Sequence, residues 1–182
     1  MSNVNLKNYN NDWFTPGSKF RIALWMLVSA FFFRTSLPVP SLIKVLLLRV
    51  FGARIGQHVV IKPSVHIKYP WKLRVGDYSW IGEGVWIDNL DKVEIGDSCC
   101  LSQGCYLLTG NHDYSSENFD LMVSSIYIES QAWVGAKSIV CPGVTLQRAS
   151  VLTVGSIATA DLEKFGIYQG NPAKKVKQRV IK

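Results

Sequence analysis

From residue 55 onward the hydrophobic positions recur every six residues. Aliphatic residues lead successive units at Ile55, Ile61 and Ile67, then Val75, Ile81 and Ile87, then Ile95, Leu101 and Leu107. The register returns at Ile128, Val134, Val140, Leu146, Leu152 and Ala158. The fifth residue of a unit is often small or β-branched, as at Val59, Val65, Ser79, Val85, Cys99, Cys105, Ala132, Ser138, Val144, Ser150 and Ser156. A half-buried sheet repeats every two residues and an amphipathic helix every 3.6. A period of six with two inward positions fits a coil of short flat faces instead. Leads 55, 75 and 95 are three units plus two residues apart, the extra pairs being Leu73-Arg74 and Val93-Glu94. Three units therefore close one coil, and the extra pairs stack at one corner. The pattern predicts a triangular parallel β-solenoid over 55–165, whose coils bury their faces only against one another and whose ends need covers. Glycine often follows the lead, at Gly56, Gly76, Gly82, Gly96 and Gly135; tight turns are the reason expected for it.

The period breaks between Leu107 and Ile128. A loop over 109–127 should leave the corner that carries the extra pairs, and loops on a rigid scaffold are where chemistry tends to sit. Residues 1–54 lie outside the repeat. They hold two apolar, helical runs, Phe20 to Phe33 and Leu37 to Phe51, with Pro40-Ser41 starting the second helix. The stretch Ile22 to Phe33, twelve residues between Arg21 and Arg34, is too short to span a bilayer. Two readings stay open. The segment caps the first coil, or residues 13–51 lie on a membrane surface with Trp13, Trp25, Arg21 and Arg34 at the headgroups. Residues 166–182 read as a basic C-terminal tail.

Composition narrows this further. The 182 residues are 48% hydrophobic and 18% charged, so the chain can bury a core and is not disordered. The formal net charge of +7 favours anionic partners such as a phosphorylated cofactor or an anionic membrane face; nucleic acid is not expected. The four cysteines, Cys99, Cys100, Cys105 and Cys141, match no C-x-x-C pattern. They read as reduced, which points to the cytoplasm, on the inner face of its membrane if the anchor reading holds. No cleavable signal peptide is evident in the polar first twenty residues.

The segments Trp80-Ile-Gly-Glu-Gly-Val-Trp-Ile-Asp-Asn-Leu90, Thr109-Gly-Asn-His-Asp-Tyr114, Trp133-Val-Gly-Ala136, Pro142-Gly-Val-Thr145 and Gly170-Asn-Pro-Ala-Lys174 resemble the hexapeptide-repeat acyltransferase superfamily. Within it, the resemblance is to the colanic-acid-biosynthesis acetyltransferases. It covers 55 to about 180 and implies an all-β, left-handed parallel β-helix that assembles as a homotrimer. The hand comes from the resemblance alone, because parallel crossovers are in general right-handed.

The resemblance also implies a reaction: direct transfer of acetyl from acetyl-CoA to a sugar hydroxyl of an exopolysaccharide or lipopolysaccharide precursor, with His112 as general base. An imidazole that titrates near neutrality suits that task. Its second nitrogen needs an acceptor. By the coil period Asp88 and Asn89 lie one coil below Leu108 and Thr109, so either is a candidate, with Asp88 favoured. By resemblance Trp133, Gly135 and Ala136 line the coenzyme groove near the thioester, Val154 and Thr159 the pantetheine arm, and Lys174 and Lys177 the phosphates. The chain departs from the family pattern at Ala160, where a lysine is usual, and at Gln147 and Thr153, where glycines are. Tyr114, Phe119 and Tyr127 are candidates to stack on a sugar. Two other readings remain: a non-catalytic trimeric binding module, and a zinc hydratase of the gamma carbonic anhydrase type held by His58, His66 and His112. No metal is expected.

Overall fold

The computed structural model describes residues 3–181. Every lead residue of the six-residue period is buried, and so is each of the small or β-branched fifth residues named above. The leads form three columns, one per face of the solenoid. Ile55, Val75, Ile95, Ile128 and Leu146 stack on the first face, in a five-stranded sheet. Ile61, Ile81, Leu101, Val134 and Leu152 stack on the second, and Ile67, Ile87, Leu107, Val140 and Ala158 on the third. All these pairings are parallel, so each coil satisfies its backbone on the coils above and below it.

The corners correct one expectation. The glycines that follow the leads do not adopt left-handed backbone; residues at the fourth position do, including His58, Ser64, Tyr78, Gly84, Ser98, Gly104, Lys137 and Ala149. The glycines answer a different demand, the close approach of the next coil. A Cβ on Gly135 would lie 2.6 Å from Val154 N, and one on Gly76 2.6 Å from the carbonyl carbon of Gly96.

The helical segment consists of α1 (Lys19–Phe32) and α2 (Ser41–Val50). Both pack on the first coil through Trp25, Phe33, Val45, Leu48 and Phe51, which join the core of the solenoid. They also satisfy the open edge of that coil, on all three faces. Arg49 Nη2 donates to Ile55 O at 2.8 Å. Lys44 Nζ donates to Lys62 O at 2.8 Å, and Ser41 Oγ accepts from Ile61 N at 3.0 Å. Trp25 Nε1 donates to Ile67 O at 2.8 Å. Lys44 is fully buried, and that burial lowers its ammonium pKa. An edge strand left with bare N–H and C=O groups invites pairing with another chain; here side chains occupy that edge.

The other end differs from a frayed basic tail. Residues Gly166–Gly170 extend the second face in parallel with Val151–Leu152, and Ala173–Gln178 folds back antiparallel on them. Gly166 and Tyr168 turn inward and are buried, while the lysines of 174–177 point outward. A strand with one apolar face was hidden by the charge of the segment. No described helix is long and apolar enough to cross a membrane.

Candidate functional site

The excursion after Leu107 is a β-hairpin. Gly110–His112 pairs antiparallel with Leu121–Val123, placing His112 opposite Leu121. The solenoid resumes at Ile126–Ile128, so Tyr127 belongs to the first face and not to the loop. The hairpin leaves the corner between the third and first faces, where the extra pairs stack. Thr109 fixes its base: it is buried, its N–H and hydroxyl both donate to Asp88 O, and its Oγ1 accepts from Asp91 N at 2.9 Å.

His112 is half-buried at the end of the first hairpin strand. Its Nδ1 lies 2.9 Å from Phe119 O. A carbonyl oxygen only accepts, so this contact places the proton on Nδ1 and leaves the lone pair on Nε2. The Phe119 ring stacks on the imidazole, with centroids 4.4 Å apart and planes 8° from parallel. Tyr9 approaches the imidazole at 5.6 Å with a 56° tilt, and the N-terminal segment is tied to the hairpin by Asn5 N donating to Glu117 O at 2.9 Å.

The orienting acceptor within the chain is therefore Phe119 O, not Asp88 or Asn89. Asp88 faces other partners. Lys68 Nζ lies 2.9 Å from its Oδ1, an ion pair without the alignment of a hydrogen bond, and Tyr106 Oη donates to its Oδ2 at 3.3 Å. Burial, and then the Asp88 charge, push the Tyr106 phenol up to about 12. Asn89 is fully buried; it accepts from Tyr69 N at 3.0 Å and donates to Tyr69 O at 2.7 Å. It stitches one coil to the next at the corner. Asp113 caps Ser115 at the hairpin turn, and those hydrogen bonds hold its carboxyl below the usual range.

The aromatic residues of the loop also sort differently from the expectation. Phe119 serves the imidazole, Tyr114 is exposed at the hairpin tip, and Tyr127 lines a groove of about 1160 Å³ along the first face that does not include His112. Neither Phe119 O nor Tyr9 was found from the sequence. A backbone carbonyl leaves no residue-type signal, and Tyr9 sits outside every repeat.

Of the coenzyme-side candidates, Gly135, Ala136 and Val154 meet at the corner between the second and third faces. There the backbone of Gly135 and Ala136 runs against that of 152–155. Trp133 is exposed on the second face, and its Nε1 donates to Ser102 Oγ at 2.9 Å. Val154 is 71% exposed, open enough to meet a ligand. Thr159 is exposed at the hairpin's own corner, two coils higher. Lys174 and Lys177 are exposed on the returning strand; Lys175 between them pairs with Glu163 at 2.6 Å. One chain thus carries its imidazole at one edge of the third face and the Gly135–Val154 corner at the other edge.

His58 stacks on Tyr78 and His66 tilts against Trp86, both low in the solenoid and away from the hairpin. Among the described residues no group of three His, Cys, Asp or Glu side chains is placed to hold a metal. All four cysteines are free. Burial pushes Cys99 up to about 11 and Cys105 up to about 12, so both stay protonated near neutral pH.

No family model matches the chain. A search of known proteins does find relatives. The "Putative colanic acid biosynthesis acetyltransferase WcaF" of Escherichia coli (strain K12) is 39% identical over 167 residues, which cover 92% of each chain. Among solved structures, the hexapeptide-repeat acetyltransferase VCA0836 of Vibrio cholerae O1 biovar eltor, complexed with acetyl coenzyme A, superposes with a TM-score of 0.84 at 18% identity. That match covers 97% of this chain and 96% of the other. A galactoside acetyltransferase in complex with coenzyme A superposes with a TM-score of 0.78 at 22% identity, over 87% and 80% of the two chains. The two structures share the fold; the E. coli relative shares sequence along nearly its whole length, and by that measure the chain belongs to the WcaF family of hexapeptide-repeat acetyltransferases.

Proposed function

We propose that this acetyltransferase moves the acetyl group of acetyl-CoA directly to a hydroxyl of a sugar in an exopolysaccharide or lipopolysaccharide precursor, with His112 Nε2 as the general base. The contact between His112 Nδ1 and Phe119 O carries the reading, because it leaves Nε2 free to accept a proton. As the sugar oxygen attacks the thioester carbonyl, Nε2 takes the hydroxyl proton. The tetrahedral intermediate then collapses, the carbon–sulfur bond breaks, and the departing thiolate recovers that proton from the imidazolium. The products are a sugar acetate ester and free coenzyme A. The buried, protonated thiols of Cys99 and Cys105 suit no role as nucleophile, which favours direct transfer.

A homotrimer accounts for the split between edges. Two copies packed side by side bring the hairpin of one protomer against the Trp133 and Gly135–Val154 corner of the next, with acetyl-CoA between them. Exposed Trp80 and Trp133 on the second face support such packing. Lys174 and Lys177 then meet the phosphates, and Thr159 the pantetheine arm. The free cysteines suit a reducing compartment such as the cytoplasm.

The test is His112→Ala. Thiol release from acetyl-CoA with candidate sugars should fall by roughly a hundredfold or more, while light scattering shows the wild-type assembly. Undiminished transfer by the variant would remove His112 from the chemistry.

A further inference from the structure

The cap has an outer surface unlike that of an ordinary covering helix. A helix that packs on a core through one face normally shows polar residues on the other. On α1 the outward stripe is Phe20, Leu24, Leu27 and Phe31, and on α2 it is Leu42, Leu46 and Val50; all are exposed, Phe20 and Val50 by 78% and 80%. Trp13, ahead of α1, is 59% exposed. These positions lie outside the core that the cap already serves.

Charge is distributed to match. Between residues 13 and 76 there are ten Lys and Arg and no Asp or Glu, although the chain has 13 acidic residues in all. Some of these cations are committed internally: Lys44 and Arg49 hold the first coil, and Arg21 donates to Phe51 O and lies over the Trp71 ring. Lys19 and Arg34 are exposed at the two ends of α1. An apolar stripe bracketed by cations with an aromatic residue alongside is the composition of a helix lying in a lipid interface. A second copy of the chain would bring the same cations at the ends of α1 against this one, with no acid between residues 13 and 76 to pair with them.

We propose that the outer face of α1 and α2 docks on an anionic lipid bilayer, with the capped end of the solenoid towards the membrane. The helices lie in the headgroup layer without crossing it. The hairpin leaves the third coil, two coil spacings of about 4.8 Å above the first, so docking holds the solenoid's loop-bearing corner close to the lipid. The docking does not depend on the role of His112.

The test uses the full chain and co-sedimentation with vesicles of phosphatidylcholine alone or with about one-third phosphatidylglycerol. The chain should bind the anionic vesicles roughly tenfold more tightly than the neutral ones, with binding that weakens as salt rises. The double variant Lys19→Gln/Arg34→Gln should lose about tenfold in affinity for the anionic vesicles. Leu27→Glu/Phe31→Glu should abolish binding with an unchanged melting temperature; if that variant does not melt cooperatively, the charge variant decides. Absence of vesicle binding by the wild type, or equal binding to both lipids, overturns the proposal. So does a higher oligomer that Leu27→Glu disrupts without any vesicle binding, which assigns the face to a second copy.

Discussion

The His112 imidazole lies flat on the Phe119 ring, 4.4 Å between centroids, and its Nδ1 meets the carbonyl oxygen of the same residue at 2.9 Å. One residue on the returning side of the hairpin thus fixes both the face and the edge of the imidazole. Phe119 itself adopts left-handed backbone, with φ of 54°, and that conformation closes the hairpin turn that carries its carbonyl back to the histidine.

Phe119→Ala separates the two contacts. It keeps the carbonyl and removes the ring, so the proton stays on Nδ1 while the imidazole gains freedom to tilt. Transfer should fall by roughly ten- to a hundredfold through kcat, with the pH profile in the same place. Thiol release measured across pH checks both parts; an unchanged rate removes the ring from the mechanism.

The neighbouring corner residues should behave differently from one another. Asn89→Ala leaves Tyr69 N without its partner in a buried place and Tyr69 O with the Lys72 N–H alone, and should destabilise the fold by about 1–3 kcal/mol. Asp88→Asn removes a partly exposed ion pair with Lys68. It should destabilise by less than about 1 kcal/mol and leave transfer near the wild-type rate. Thermal melts and thiol release test the pair; a large loss of transfer in Asp88→Asn with an intact fold returns Asp88 to the site.

Cysteine burial sets an alkaline limit to stability. In the unfolded chain a thiol ionises near pH 9, whereas Cys99 and Cys105 are held up to about 11 and 12 in the fold. Above pH 9 the unfolded chain therefore binds fewer protons than the folded one, and stability falls with rising pH until the folded thiols also ionise. Below pH 8 these groups contribute no slope. Denaturant midpoints at pH 8 and pH 10 should show the drop, and Cys99→Ala/Cys105→Ala should show a smaller one.

The solenoid was legible because its core is periodic: one aliphatic lead and one small residue per unit, each with a fixed inward place. The hairpin's address was legible as the break in that period. The rest follows no period. The glycines after the leads read as turn residues from sequence, which shows the residue but not the neighbouring coil that excludes its Cβ. The period places Asp88 below the hairpin, yet Lys68 and Tyr106, twenty and eighteen residues away on the same face, claim its carboxylate. The true partner of His112 is a main-chain oxygen, visible only once the hairpin closes.

The side chains that hold the first coil have a consequence for the length of the object. Parallel coils of this kind template one another, and nothing in the repeat itself limits how many chains join end to end. Arg49, Lys44, Ser41 and Trp25 occupy the open edge on all three faces, and the strand 173–178 runs antiparallel along the second face at the far end. An incoming coil finds hydrogen-bonding positions taken on each face of the first end, and a strand of the wrong direction on the second face of the last. Growth into a fibre is thereby blocked at the first end and opposed on one face of the other.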